Sequence, residues 1–464
     1  MQRTTRLSSR SDRYLRGIET SVVAAPDSLL GLLQRGRGQG YISALAAGRA
    51  AAEAAIVECV THDPRIDHQV EARDEYYGRC AFALGIETSP FEALLFSPAD
   101  SEETDEYRTQ LVLGTLAWMG RLGRDDAVAL VRRYVEVGWN WEWAIQELAD
   151  RVPVGLDGLD EVVIARCASL EDLARVMRWP DWSPWRAWLT TNPRMREAAA
   201  LSAEWDRQNE HRRRQLSDLS TRELLERREV SALRQRLAPS DKEVLYHAAR
   251  GDVDQLRHDA IKVLGWQGDL GVFDEAEAEI RRFPDRDWPP NAGWFALHQL
   301  MKKAPIERVR NWLAEEGRPR EIALHMVALW PRAGDEHLLR AVLKHLNDED
   351  WLYRVCDAVD GLAKLADREA VPELEQVFQE ATYSYLRRRT ARALAITSDR
   401  FAEGYGVECL WDCEEETRAV GCAAASWSSS TVRDRIAEIA DDNFEDRKVR
   451  ALAARRLRPL RVST

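Results

Sequence analysis

"LRHDAIKVLGWQGD", Leu256 to Asp269, is a helical run opened by an arginine, and the eighth residue counted from Arg257 is the apolar Leu264. The same pairing recurs at Arg320 and Val327, Arg354 and Gly361, Arg387 and Leu394, Arg418 and Ala425, and Arg450 and Leu457. The first interval between arginines is 63 residues, room for two repeats, and the next four are 34, 33, 31 and 32. A period near 32 is the length of one hairpin of two amphipathic helices, a unit that buries its apolar face only by stacking on its neighbours. Small residues between the markers, as in "RRRTARALA" (387–395) and "RAVGCAAA" (418–425), let such helices approach closely. The skipped repeat contains "NAGWFALHQLM" (291–301), which has no arginine at its start.

Outward from this array the pattern stays helical. Residues 26–200 show no strand alternation of useful length, and residues 201–240 ("LSTRELLERREVSALRQRL" within them) form a charged, leucine-punctuated helix. Trp179-Pro180, Trp288-Pro289 and Trp330-Pro331 repeat one stop signal, since proline ends or restarts a helix. The expected fold is therefore all-α, an α-solenoid of helical hairpins in two blocks joined by a charged helix. The expected divisions are a basic tail at 1–25, an N-terminal helical block at 26–200, a linker at 201–240 and a repeat array at 241–464.

Charge narrows the function. The tail carries net +3, the first block −10, the linker +2 and the array −7, for −12 overall. Nucleic-acid binding draws on clustered cations that neutralise phosphates, so two acidic blocks disfavour it. Even the alanine-rich run 44–60 is interrupted by Arg49, Glu53 and Glu58, so no window predicts a membrane span. Val22 to Ala25 is too short an apolar core for a signal peptide, which makes a cytoplasmic location the expectation. Seven cysteines, an odd number scattered through helical stretches, read as reduced, buried thiols.

"LLQRGRGQGYISALAAG", Leu32 to Gly48, invites three readings: an RNA-binding tail, a phosphate loop and a helix turn. No strand precedes it, the glycines at 36, 38 and 40 alternate instead of following G-x-G-x-x-G, and no Gly-Lys-Ser/Thr is present. The turn between two amphipathic helices is preferred, with Gly38 expected at positive φ. Arg35 and Arg37 are expected to reach outward and pair at the surface with carboxylates such as Asp67 or Glu71. Further on, Asp63-Pro64 reads as an N-cap and first helical position.

The 32-residue array resembles HEAT-like repeats, including the short type of the bilin lyase group, over residues 241–460. "RGRGQGY", "DPRIDHQVEAR", "YVEVGWNWEWAIQEL" and "PWRAW" also resemble a group of actinobacterial HEAT-repeat proteins over about residues 29–190. That resemblance implies no activity. It implies that Arg35, Arg37, Arg65, Asp67, Gln69 and Arg73 form one charged lattice across adjacent helices, and Gly36, Gly38 and Gly40 share the structural assignment.

Cys409, Cys413 and Cys422 could supply three zinc ligands, but the knuckle spacing and a fourth ligand are missing, which favours buried thiols. His62 and His68 flank two aspartates and are expected on different sides of a helix, in capping and surface roles. No hydrolase elbow, zincin or kinase motif occurs. No catalytic residue, metal ligand or cofactor is assigned. Of 17 tryptophans, Trp139, Trp141, Trp143, Trp182 and Trp185 are the candidates for partner contact. The expected function is a non-catalytic scaffold or adaptor that binds another protein on its concave face. The alternative is a DNA-acting protein resembling HEAT-like alkylpurine DNA glycosylases, or a bilin lyase-like enzyme.

Overall fold

The computed structural model describes residues 23–461 apart from 69, 99, 102–105, 178–182, 236–238, 283–291, 301–304, 347 and 349–350. Trp182, Trp179-Pro180, Trp288-Pro289, Gln69 and all but the last three residues of the 1–25 tail lie outside the described residues. Every regular element among the described residues is helical, and neighbouring helices pack in pairs.

The repeat markers explain the pairing. Leu264, Val327, Gly361, Leu394, Ala425 and Leu457, the six residues in the eighth place, are all buried. Three of the marker arginines are buried as well, and each is locked to a carboxylate further along the chain: Arg257 to Glu279 on a helix, and Arg387 to Asp412 and Arg418 to Glu445 between helices. The other markers have other surroundings. Arg320 is exposed, Arg354 reaches back to Glu321 at 2.7 Å, and Arg450 contacts Asn443. The small residues act as the spacing predicts: a Cβ added to Gly265 would lie 2.5 Å from the Cα of Ala296, so the Asp254–Trp266 and Ala292–Leu300 helices touch backbone to backbone.

The chain divides into two units that do not follow its order. One joins residues up to Ser202 with those from Arg368 onward, and the other is Ala203–Asp367. The expected array 241–464 thus contributes to both. Within 201–240 the helix Pro193–Ser217 ends, a capping box at Ser220 and Glu223 starts Thr221–Glu226, and Arg228 at φ 60° turns the chain into Val230–Gln235. Leu224, Leu225 and Leu233 sit in the core of the second unit with Leu245, Ile261 and Leu264, so the leucine punctuation is core packing.

Two local expectations are corrected. The helix Arg49–Thr61 ends before Asp63, and the next helix begins only at Arg73, so Asp63-Pro64 opens no helix. The Asp63 carboxylate instead accepts from the backbone N–H of Arg65 at 3.0 Å and pairs with its guanidinium at 2.6 Å, a local turn that competes with helix formation. His62 pairs with Glu58, while His68 stacks on Tyr107 with ring centres 4.2 Å apart, so neither lies on the expected helix. Positive φ falls on Gly36, at 63°, and not on Gly38.

Candidate functional site

The glycine-arginine stretch lies in the first unit, and its neighbours come from the far end of the chain. The Gly36 carbonyl accepts from the backbone N–H of Cys413 at 3.0 Å and from Arg387 Nη2 at 3.2 Å. Cβ atoms added at Gly36 and Gly38 would lie 2.5 Å from Cys413 Sγ and 1.9 Å from the Glu408 carbonyl oxygen, so both glycines are required by close approach. At Gly40 the added Cβ would meet Tyr76 Oη at 2.7 Å.

The arginines are buried, which corrects the expectation that they extend outward. Arg37 grips Glu408 through two bonds of 2.8 and 2.9 Å. Arg35 donates to the carbonyls of Glu380, Ala24 and Gly31, and burial, aided by Arg37, lowers its pKa to about 10. Arg73 is the residue that pairs with Glu71, at 2.9 Å, while also donating to the carbonyls of Gln34 and Thr382. Ser384 Oγ lies between Glu71 at 2.9 Å and Glu414 at 2.5 Å. Burial raises the Glu414 pKa, opposed by the hydrogen bond from Ser384. Arg35, Arg37 and Arg73 thus meet in one region, whereas Arg65 pairs with Asp63, and the Asp67 backbone N–H donates to Glu71.

The thiols in this region are unreactive by environment. Cys409, Cys413 and Cys422 are buried, and desolvation pushes each pKa up, to about 12 for Cys422. Among the described residues no group of three or more His, Cys, Asp or Glu side chains could hold a metal.

The candidate tryptophans separate by exposure. Trp139 is 52% exposed, Trp143 is half-buried, Trp141 is buried under the Arg166 guanidinium, and Trp185 is buried against Trp188 at 5.4 Å. Trp139 is therefore the one of these four whose ring is open to a partner.

The second unit holds an arrangement that local spacing does not reveal. Trp294 and His298, four residues apart on Ala292–Leu300, stack with ring centres 5.1 Å apart. His298 stacks in turn on His325 of the helix Arg318–Leu329 at 5.6 Å, and His325 Nδ1 lies 2.5 Å from Asp357 of the helix Leu352–Leu365. One turn earlier on the same two helices, Glu321 pairs with Arg354, which fixes their register. His298 is exposed, yet partial burial of its stacked ring, together with the neighbouring His325, lowers its pKa. Tyr353, four residues before Asp357, is 63% exposed and extends the face. The available signal was that His298, His325 and Asp357 recur about one repeat apart.

No model of a known protein family matches the chain, and no curated protein is similar to it. Among the described residues no helix is long and apolar enough to cross a membrane.

Proposed function

We propose that the protein is a HEAT-like α-solenoid scaffold or adaptor that binds a protein partner without catalysis of its own, in the cytoplasm. The contact surface is the ladder of Trp294, His298, His325 and Asp357 together with Tyr353. The observation that carries this reading is the stack of ring faces that joins the helices Ala292–Leu300 and Arg318–Leu329 and ends on the Asp357 carboxylate of Leu352–Leu365. Rigid, partly desolvated aromatic rings are what anchor protein interfaces, and they lose little conformational entropy on binding.

The test is quantitative capture of a partner by the wild type and by a His298→Ala, Tyr353→Ala double variant of unchanged melting temperature. The expected result is loss of the partner by at least tenfold. Equal capture by both proteins would remove the ladder from the interface, and capture that depends instead on Trp139 would move the surface to the first unit. The enzymatic alternative, resembling the glycosylases or bilin lyases, is favoured only by the His325–Asp357 pair, which has the layout of an oriented base.

A further inference from the structure

Trp118 and Arg121 lie one turn apart on the helix Glu106–Arg121 of the first unit, where three guanidinium groups gather around one indole. The guanidinium carbons of Arg79 and Arg121 are each 5.1 Å from the Trp118 ring centre, and that of Arg151 is 5.7 Å away. Arg121 also lies 4.2 Å over the ring of Phe444.

Two of the three cations have counter-charges. Arg79 donates to Glu75 at 2.7 Å and lies 2.8 Å from Asp442, and Arg151 donates to Asp74. Arg121 makes one hydrogen bond, to the Asp150 carbonyl at 3.3 Å, and among the described residues no carboxylate lies within ion-pair distance of it. Its pKa is lowered by burial and by the neighbouring Arg151 and Arg79, which outweigh Glu75 and Asp442.

Four donors of this cluster are also unused, Arg79 Nη2 and Arg151 Nε among them. Trp118 is only 7% exposed, and its indole N–H is buried without an acceptor among the described residues; the same is true of the Arg121 Nε–H. Leaving a buried donor unpaired is costly, so native proteins pair nearly all of them. An unpaired N–H and a guanidinium with no carboxylate at ion-pair distance, one turn apart on one helix, supply the donors and the single positive charge that one monoanion needs.

We propose that Trp118 and Arg121 form a binding site for a carboxylate, which accepts from Trp118 Nε1–H and Arg121 Nε–H and neutralises Arg121. Phe444, 39% exposed, forms the apolar wall beside it. A monoanion fits better than a dianion because Arg121 is the one of the three arginines with no carboxylate at ion-pair distance among the described residues. The carboxylate can belong to a small free acid or to an acidic side chain of a peptide, and the two sources are separated by experiment.

The test is titration of the full chain with sodium acetate, and separately with a short glutamate-containing peptide of blocked ends, against sodium chloride at equal ionic strength. The readouts are melting temperature and the indole N–H resonance of Trp118, assigned with Trp118→Phe. Saturable binding is expected, with a shift of that resonance and a rise in melting temperature that chloride does not give. Arg121→Gln should weaken it at least tenfold. Tighter binding of acetate than of the peptide identifies a free acid, and the reverse identifies a side chain. If Trp118→Phe fails to fold, Arg121→Gln carries the comparison through melting temperature alone. Equal responses to acetate, peptide and chloride, or the same acetate response in Arg121→Gln, would overturn the proposal.

Discussion

Glu147 shows how one buried carboxyl makes stability depend on pH. Burial raises its pKa from 4.5 to about 8, against the opposing pull of Arg151, so the folded protein holds this proton over a range where the unfolded chain has released it. The stabilisation this gives is complete below pH 4.5 and is lost as pH rises through about 8. Glu147→Gln, which cannot ionise, is expected to match the wild type within about 1 kcal/mol at pH 5 and to exceed it by about 2–4 kcal/mol above pH 8. Denaturant titrations at the two pH values check this, and parallel pH profiles would show that Glu147 ionises freely. Gly38 makes the second case at this scale. Because its missing Cβ leaves room for the Glu408 carbonyl, Gly38→Ala should already cost about 2–4 kcal/mol in chemical unfolding, although alanine suits the helix better. A cost below 1 kcal/mol would mean that the Glu408 segment moves aside easily.

The arginine-to-carboxylate lock is what ties the elements of a hairpin together. Arg257 at the start of Asp254–Trp266 holds Glu279 of Phe273–Arg282, and Glu279 also contacts His258. Arg257→Leu leaves that buried carboxylate without its main partner, and a loss of about 3–5 kcal/mol is expected. Arg320→Leu, at an exposed marker, should cost under about 1 kcal/mol. Similar melting temperatures for the two variants would contradict the lock. The contrast also shows how far the sequence could be read. The marker register identified the helices and their buried eighth residues, because apolar burial follows helix period. It could not tell which arginines were buried, since that depends on a carboxylate 22 residues away for Arg257 and 27 for Arg418. Gly36, Gly38, Arg35 and Arg37 were recognised as a structural turn, but the direction of the arginines was misjudged. Arg37 has its partner 371 positions away, beyond the reach of local pattern. Local spacing does not reveal the ladder for a related reason, as its groups are one or two to a helix and come together only when three helices stack.

At the scale of the molecule, the division of the chain sets which pieces can stand alone. If residues 203–367 form a unit, that fragment should show a cooperative thermal melt by circular dichroism. A fragment 241–464 should not fold throughout, because its last hundred or so residues lose Arg37, Arg73 and Gly36 as partners of Glu408, Thr382, Arg387 and Cys413. A single cooperative transition with native helicity in 241–464 would contradict this.

Because the first unit is closed by residues from both ends of the sequence, the order of synthesis matters. At roughly 5–20 residues per second, about 20–70 s pass between the emergence of Arg37 and that of Glu408 from the ribosome. Throughout that interval Arg37 lacks Glu408, and Arg35 and Arg73 lack the Glu380 and Thr382 carbonyls, so the nascent N-terminal segment is a client for whatever holds unfinished chains. Stalled chains ending near residue 367 should therefore be cleaved readily by protease within 29–80, and chains released at full length should be protected there.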